Sequence, residues 1–353
     1  MKLSTHRRKP SRCSSYKLLL QVPRIRKGAL NTALGYGAHV LKMRMLLWGC
    51  IFFFTLLVFE QRLPHLMGWN HHPPPPPPPP PPLPSRGGYT VVINTWKRHP
   101  MLKRAVAHYA TCSQTHAIRV VWSESDKPPD SLDAYLTQII SQAPHKPSLR
   151  FELNEEDNLN NRFKPIQDVA NDAVFSVDDD VIVPCPALNL AFSVWQTAPH
   201  TMVGFVPRMH WLHHQENGIT YYKYGGWWSV WWMGTYSMIL SKAAFFHRKY
   251  LDVYTYDMPS SIHDYITIER PYPTSSRNCE DIAMSLLVAN ASGAPPIWVR
   301  ARIYEIGSSG ISSLKGHTKK RDKCLNDFIS LYGAVPLVAT NIKAVDASQE
   351  WFW

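Results

Sequence analysis

Downstream of residue 88 the chain reads as an α/β protein built on a mostly parallel sheet. Three observations predict this. Short apolar, β-branched bursts recur, segments of helical period lie between them, and one burst runs straight into three consecutive aspartates. Strands separated by helices call for right-handed βαβ units, and in such sheets ligands sit beyond the carboxyl ends of the strands. Residues 89 to 353 are long enough for one large domain, or two subdomains, with a real core.

The elements follow in order. Tyr89-Thr90-Val91-Val92-Ile93 is a strand, Leu102 to Tyr109 a helix and Ile118-Arg119-Val120-Val121-Trp122 a strand. Asp130 to Ile140 is a helix and Leu149 to Leu153 a strand; Ala173 to Val177 is the strand that enters Asp178, Asp179 and Asp180. Glu280 to Ala289 reads as a helix with two acids in its first turn, where the macrodipole favours carboxylates. The sequence holds no internal repeat, no P-loop and no GxGxxG fingerprint.

Three like charges side by side repel, and packing does not call for them, so a divalent cation is their natural partner. Mg²⁺ or Mn²⁺ held by one or two carboxylates completes its shell with phosphate oxygens. The triplet therefore points to a metal-dependent site for a diphosphate ligand such as a nucleotide-sugar. The bland alternative is an acidic turn after an edge strand.

Upstream, the first 44 residues hold eleven Lys or Arg and no acid. The rest of the chain has 27 basic against 26 acidic residues, so the high isoelectric point gives no nucleic-acid partner to the folded part. Met45 to Phe59 is uncharged, shorter than the roughly 20 residues of a standard span, and a cleaved signal sequence competes with an anchor. The long basic leader and the lack of a small-residue cleavage site at Glu60-Gln61-Arg62 favour an uncleaved anchor with a cytoplasmic N-terminus. Ten prolines, Pro73 to Pro82, then form a semi-rigid spacer of roughly 30 Å. The layout expected is a cytoplasmic tail over 1–44, a signal-anchor over 45–59, a lumenal stem over 60–88, a folded domain over 89–340 and a C-terminal tail over 341–353. Four lumenal cysteines, Cys112, Cys185, Cys279 and Cys324, meet an oxidising compartment, and spacing alone leaves three pairings open. Asn290-Ala291-Ser292 is the single glycosylation sequon.

Taken in order, Asn94-Thr95-Trp96-Lys97-Arg98, Val120-Val121-Trp122, Asn160-Asn161-Arg162-Phe163, Val177-Asp178-Asp179-Asp180, Val203 to Arg208, Tyr236-Ser237-Met238, Asn278 to Met284 and Arg321-Asp322-Lys323-Cys324 resemble the exostosin-type glycosyltransferases of family 64. Within that family the chain is most similar to short plant glycosylinositol phosphorylceramide mannosyltransferases. Gly225 to Trp232 and the ending Lys343 to Trp353 carry this closer likeness. The resemblance implies a GT-A type fold, with a nucleotide-sugar half over 89–185 and an acceptor half over 186–340. It further implies a retaining reaction, Mn²⁺ as cofactor with Mg²⁺ as the alternative, and a single-pass type II protein of the Golgi membrane.

Carried over by position, Asn94, Arg98, Asn158 and Arg162 are implied to bind the nucleotide-sugar, and Asp178 and Asp179 to face its ribose and sugar. Asp180 is implied to bind the metal, Asp281 to be the catalytic carboxylate and Arg321 its partner. The same motifs imply a Cys279–Cys324 disulfide, while Cys112 and Cys185 receive no pairing. Ser123 and Asp157-Asn158 depart from the animal pattern, which leaves the base open and makes guanine plausible. Trp227, Trp228, Trp231 and Trp232 read either as ordinary packing aromatics or as a mobile wall meeting sugars or lipid headgroups. The expected donor is GDP-mannose and the expected acceptor a sphingolipid. Transfer of N-acetylhexosamine from a UDP donor is the alternative, and a non-catalytic sugar-binding module a distant third.

Overall fold

The structure, a computed structural model, describes residues 43–56, 87–216, 218–267, 279–307 and 317–347. Nearly all of the basic tail, the last three residues of the apolar span, almost the whole proline stem and Trp351 to Trp353 lie outside the described residues. The chain divides into two compact units, Met1–Pro79 and Pro80–Trp353. In the first, residues 43–56 form a helix, α1, with its apolar side chains exposed. Among the described residues no helix is long and apolar enough to cross a membrane.

The second unit opens with β1 (Tyr89–Thr95), α2 (His99–Tyr109), β2 (Thr115–Trp122), α3 (Asp130–Gln142) and β3 (Ser148–Leu153). All three strands pair in parallel and step outward from β1. A 3₁₀ turn, Leu159–Phe163, precedes β4 (Ala173–Asp178), which returns to the other side of β1, again in parallel. After β5 (Val181–Ile182) and α4 (Cys185–Thr197) come β6 (Val203–Gly204), the hairpin β7 (Pro207–His214) and β8 (Thr220–Gly225), α5 (Trp227–Met233), β9 (Met238–Ile239) and β10 (Ala243–His247). A short α6 (Lys249–Asp252) passes into a π turn; then follow α7 (Ser260–Thr267), α8 (Glu280–Ser292), β11 (Ile297–Arg300), β12 (Tyr304–Glu305), α9 (His317–Tyr332) and β13 (Lys343–Val345).

Eight strands form the main sheet in the order β13-β11-β6-β10-β4-β1-β2-β3, and β10 alone runs antiparallel to both of its neighbours. The sheet is therefore parallel-dominated, and its strand alternation divides the core in two. Val91, Ile93, Phe175, Val177 and Phe245 face one cluster, whereas Val92, Val174, Ala244 and Phe246 face the other. Both clusters lie wholly within the second unit, so it carries its own core. Phe175 and Phe245 stand opposite each other across β4 and β10, fully buried, and each such side chain contributes about 1.5–3 kcal/mol by leaving water.

Helix α8 has no polar face. Every residue from Glu280 to Ala289 is buried, which marks an interior helix and carries two acids inside with it. Two disulfides clamp the unit: Cys279–Cys324 joins the start of α8 to α9, and Cys112–Cys185 joins the turn after α2 to the start of α4. Sequence spacing assigned no partner to Cys112 or Cys185. The pairing arises because the α2 end lies against β5, where the Tyr109 hydroxyl donates to the Val181 carbonyl at 2.9 Å.

Candidate active site

Order 3-2-1-4 in the main sheet means that the chain leaves β1 on one side and returns on the other. Such a switch point opens a crevice at the strands' carboxyl ends. Asn94 of β1 stands in register with Asp178 of β4, and the Asp179 amide donates to the Asn94 carbonyl at 3.2 Å. The aspartate triplet thus lies at that crevice, on the turn between β4 and β5.

Each acid has its own surroundings. Asp178 accepts an ion-paired bond from Arg162 at 2.9 Å. Burial pushes its carboxyl above the usual range, with Arg162 opposing. Asp179 is fully buried, accepting from the Thr95 hydroxyl at 2.7 Å and pairing with Arg98 at 2.5 Å. Its desolvation outweighs those partners and pushes its pKa up to about 6. Asp180 pairs with Arg98 at 2.8 Å and keeps some exposure to solvent. Arg98, on the turn before α2, therefore bridges two of the three acids.

The donors of Asp180 suit a divalent cation held by a single protein carboxylate, with phosphate oxygens in the remaining positions. Gly307 supports that fit: a Cβ there would lie 2.8 Å from Asp180 Oδ2, so a larger residue would press on the carboxylate. Strand β12 positions it, pairing with β5 and bringing the Ile306 amide to the Asp180 carbonyl at 2.7 Å. Among the described residues one group of three metal-type donors lies close together, His108, Cys112 and Cys185. Both thiols are spent in a disulfide and His108 bonds the Val183 carbonyl at 2.7 Å, so this is a structural cluster.

The family motif implies that Arg162 binds the nucleotide-sugar. Its side chain is 3% exposed and reaches Asp178, the Ser176 hydroxyl and the Ser241 carbonyl at 3.2 Å or less, with Glu280 at 3.5 Å. It therefore acts in this structure as an internal bridge from the triplet to α8. Asn158 is similarly engaged: its carbonyl oxygen caps the 3₁₀ turn by accepting from the Asn160 amide, and its amide group donates to Thr267. Ser123, one of the departures from the animal pattern, accepts from the Asn161 side chain at 3.0 Å.

At the other end of the bridge lie Asp281 and Arg321, on α8 and α9. One guanidinium nitrogen of Arg321 meets both Asp281 oxygens at 2.9 Å, and both residues are buried. Forty residues of sequence separate them; the Cys279–Cys324 disulfide, two residues before one and three after the other, holds the two helices together. Burial is the largest influence on Arg321 and works against its charge, but Asp281, Tyr224 and Glu280 together outweigh it and raise its pKa. Glu280, the neighbour of Asp281, is pushed up to about 7, first by burial and then by Asp281 itself.

Sequence reasoning gave no role to several of these residues. Tyr224 is buried, and its hydroxyl accepts from both Arg208 at 3.0 Å and Arg321 at 3.2 Å. Hydrogen bonds from the Tyr222 and Tyr224 amides to Asn326 and Asp322 lock β8 to α9. Alternation in Thr220 to Gly225 was the available signal for Tyr224; nothing in the sequence marked Gly307. Cys279 sits at φ 83° before α8, a left-handed position rare for a non-glycine residue. The four tryptophans of α5 are exposed, at 48, 74, 61 and 81% in chain order, with Val230 the helix's buried anchor.

Acids and arginines at the carboxyl edge of a parallel sheet, wired to a buried Asp–Arg pair, are the equipment of a glycosyltransferase. The glycosyl transferase family 64 domain matches residues 89–351, and the chain belongs to that family. It is 56% identical over 272 residues to the Arabidopsis thaliana glycosylinositol phosphorylceramide mannosyl transferase 1, covering 76% of this chain and 79% of that one. Mouse exostosin-like 2 is 32% identical, with 72% and 75% covered, and human exostosin-2 is 30% identical, with 74% of this chain but 34% of that longer protein covered. A mannosyltransferase from Pyrobaculum calidifontis, solved with GDP-Man and Mn²⁺, overlaps 60% of this chain and 54% of its own at TM-score 0.35 and 12% identity, too distant to bear on function.

Proposed function

We propose that the chain is a retaining, Mn²⁺-dependent mannosyltransferase of GT-A type, which moves mannose from GDP-mannose to glycosylinositol phosphorylceramide. The observation that carries this reading is the 56% identity to the Arabidopsis protein of that name over three quarters of the chain. In the proposed layout, Asn94, Arg98, Asn158, Arg162, Asp178 and Asp179 form the nucleotide-sugar side, with Asp180 the metal ligand and Mg²⁺ an acceptable substitute. The metal, when bound, supplies positive charge against the diphosphate. Arg98 adds a planar pair of donors suited to phosphate oxygens, its side chain being about a third exposed.

Asp281 is the proposed catalytic carboxylate, stabilising oxocarbenium-like charge at the anomeric carbon. Arg321 holds it in place through one nitrogen that meets both of its oxygens, and Tyr224 holds Arg321 in turn. The location proposed is the Golgi membrane, with an anchor over residues 45–59 and a lumenal catalytic domain. Calorimetry with Mn²⁺ tests the donor. GDP is expected to bind more tightly than UDP; tenfold tighter UDP binding, about 1.4 kcal/mol, would overturn the mannose assignment in favour of a UDP-N-acetylhexosamine donor.

A further inference from the structure

The least explained surface of the catalytic unit is α5. Seven residues hold four tryptophans, and only Val230 is buried beneath them. Trp227 and Trp231 stack one turn apart with planes 13° from parallel, while Trp228 stands edge-on to both. Met233 continues the apolar surface past Trp232, and the adjoining hairpin exposes Leu212 and Ile219. Soluble monomers seldom carry so much exposed aromatic area at one place, and such patches mark interaction sites. One or two ring faces suffice to stack on a sugar. A layer of four projecting indoles instead matches the water–hydrocarbon boundary of a bilayer, where tryptophan concentrates.

Charge selects the same occupant. Strands β7 and β8 and helix α5 contain Lys223, three histidines and no carboxylate, and their Arg208 is turned onto the buried Tyr224. The one acid of the hairpin, Glu216, sits at its turn. Helix α9, locked to β8, adds exposed Lys319, while its Lys323 is paired with Asp327. We propose that α5 is an interfacial anchor, inserting its tryptophans into the headgroup layer of an anionic bilayer beside the catalytic pair. The position is close to the chemistry, since Trp227 follows by three residues the Tyr224 that holds Arg321. Gly234, at φ 68°, ends the helix.

This inference rests on the reading that the acceptor is a membrane lipid, yet it can be tested without donor, metal or acceptor. Residues 80–353, which carry their own core, are mixed with phosphatidylcholine vesicles with and without phosphatidylglycerol, and followed by sedimentation and tryptophan emission. Expected are binding to the anionic vesicles, a blue shift, and a loss of about tenfold in partitioning for W228S/W232S at unchanged melting temperature. Absence of binding, or equal binding by the double variant, would overturn the proposal. So would a vesicle-independent doubling of mass that the double variant abolishes, which would assign the patch to a second copy of the chain. Binding to vesicles without transfer to any sphingolipid would sink the acceptor assignment alone.

Discussion

Glu280 and Gly307 show how much of the site depends on residues that touch no ligand. Glu280 is buried between Arg162 and Asp281, with its pKa raised to about 7. A carboxyl whose folded pKa exceeds its unfolded one gives stability that is present at low pH and lost as pH rises through the folded value. Replacing it by Gln removes that dependence. The melting temperature of E280Q is therefore expected to gain on that of the parent protein between about pH 5 and about pH 8. A constant difference across the range would show that Glu280 is ionised throughout. At Gly307 a methyl group presses on Asp180, at 2.8 Å from Oδ2 and 3.0 Å from Cβ. Overpacking of this kind costs about 1–3 kcal/mol. Titration of G307A with Mn²⁺ should give weaker binding than the parent; an unchanged affinity would dissociate Gly307 from the metal site.

At this scale the sequence was uneven. A strand ending in three acids announced its own place in the fold, and Asp178 to Asp180 lie at the crevice that a parallel sheet makes available. Asp281 and Arg321 are another matter, because no periodicity links residues forty apart on different helices; their meeting was accessible only through family motifs. The burial of Arg162 under two carboxylates was not accessible, since a charged residue in an Asn-Asn-Arg-Phe stretch gives no sign that its partners lie inside.

Among elements, the pairing of α8 with α9 decides the geometry of the proposed catalytic pair. Helix α8 presents two acids at its buried N-terminus, α9 presents Arg321, and β8 and the Cys279–Cys324 bridge fix their relative position. With a sequence separation of 45, the bridge contributes about 4 kcal/mol in the chain-entropy model, whose mechanism is disputed. Peptide mapping of the non-reduced protein should recover Cys279 and Cys324 on one linked peptide and Cys112 and Cys185 on another. Free thiols at either pair would contradict the arrangement. C324A is expected to melt lower than the parent and to lose activity beyond what its unfolded fraction explains, because Arg321 is freed from its register with Asp281. Strands β1 to β4 and helices α2 and α3 were legible from alternation and helical period, with small shifts such as β2 beginning at Thr115 rather than Ile118. Two-residue strands such as β5, β6 and β12 were not, because nothing so short has a period to read.

For the whole molecule, a bridge of buried charge joins the two halves of the proposed reaction. Asp178, Arg162 and Glu280 connect the nucleotide side to Asp281, Arg321, Tyr224 and Arg208 on the acceptor side, through the core rather than across solvent. Breaking a buried pair by removing one partner costs about 3–5 kcal/mol. Isosteric changes are therefore the informative ones, and D180N is expected to keep its fold while losing metal-dependent turnover. The mostly parallel α/β sheet was legible from the order of bursts and helices, whereas its strand order and switch point came from the structure. The antiparallel insertion of β10 was not legible, because strand direction leaves no mark in a five-residue apolar run.

Donor turnover by residues 80–353 with Mn²⁺, comparing GDP-mannose with UDP-N-acetylglucosamine and the parent with D281N, tests the central claim most directly. Faster release of GDP from GDP-mannose is expected, falling by about a hundredfold or more in D281N, beyond what its unfolded fraction explains. Preferential turnover of the UDP-sugar, or full activity in D281N, would contradict it.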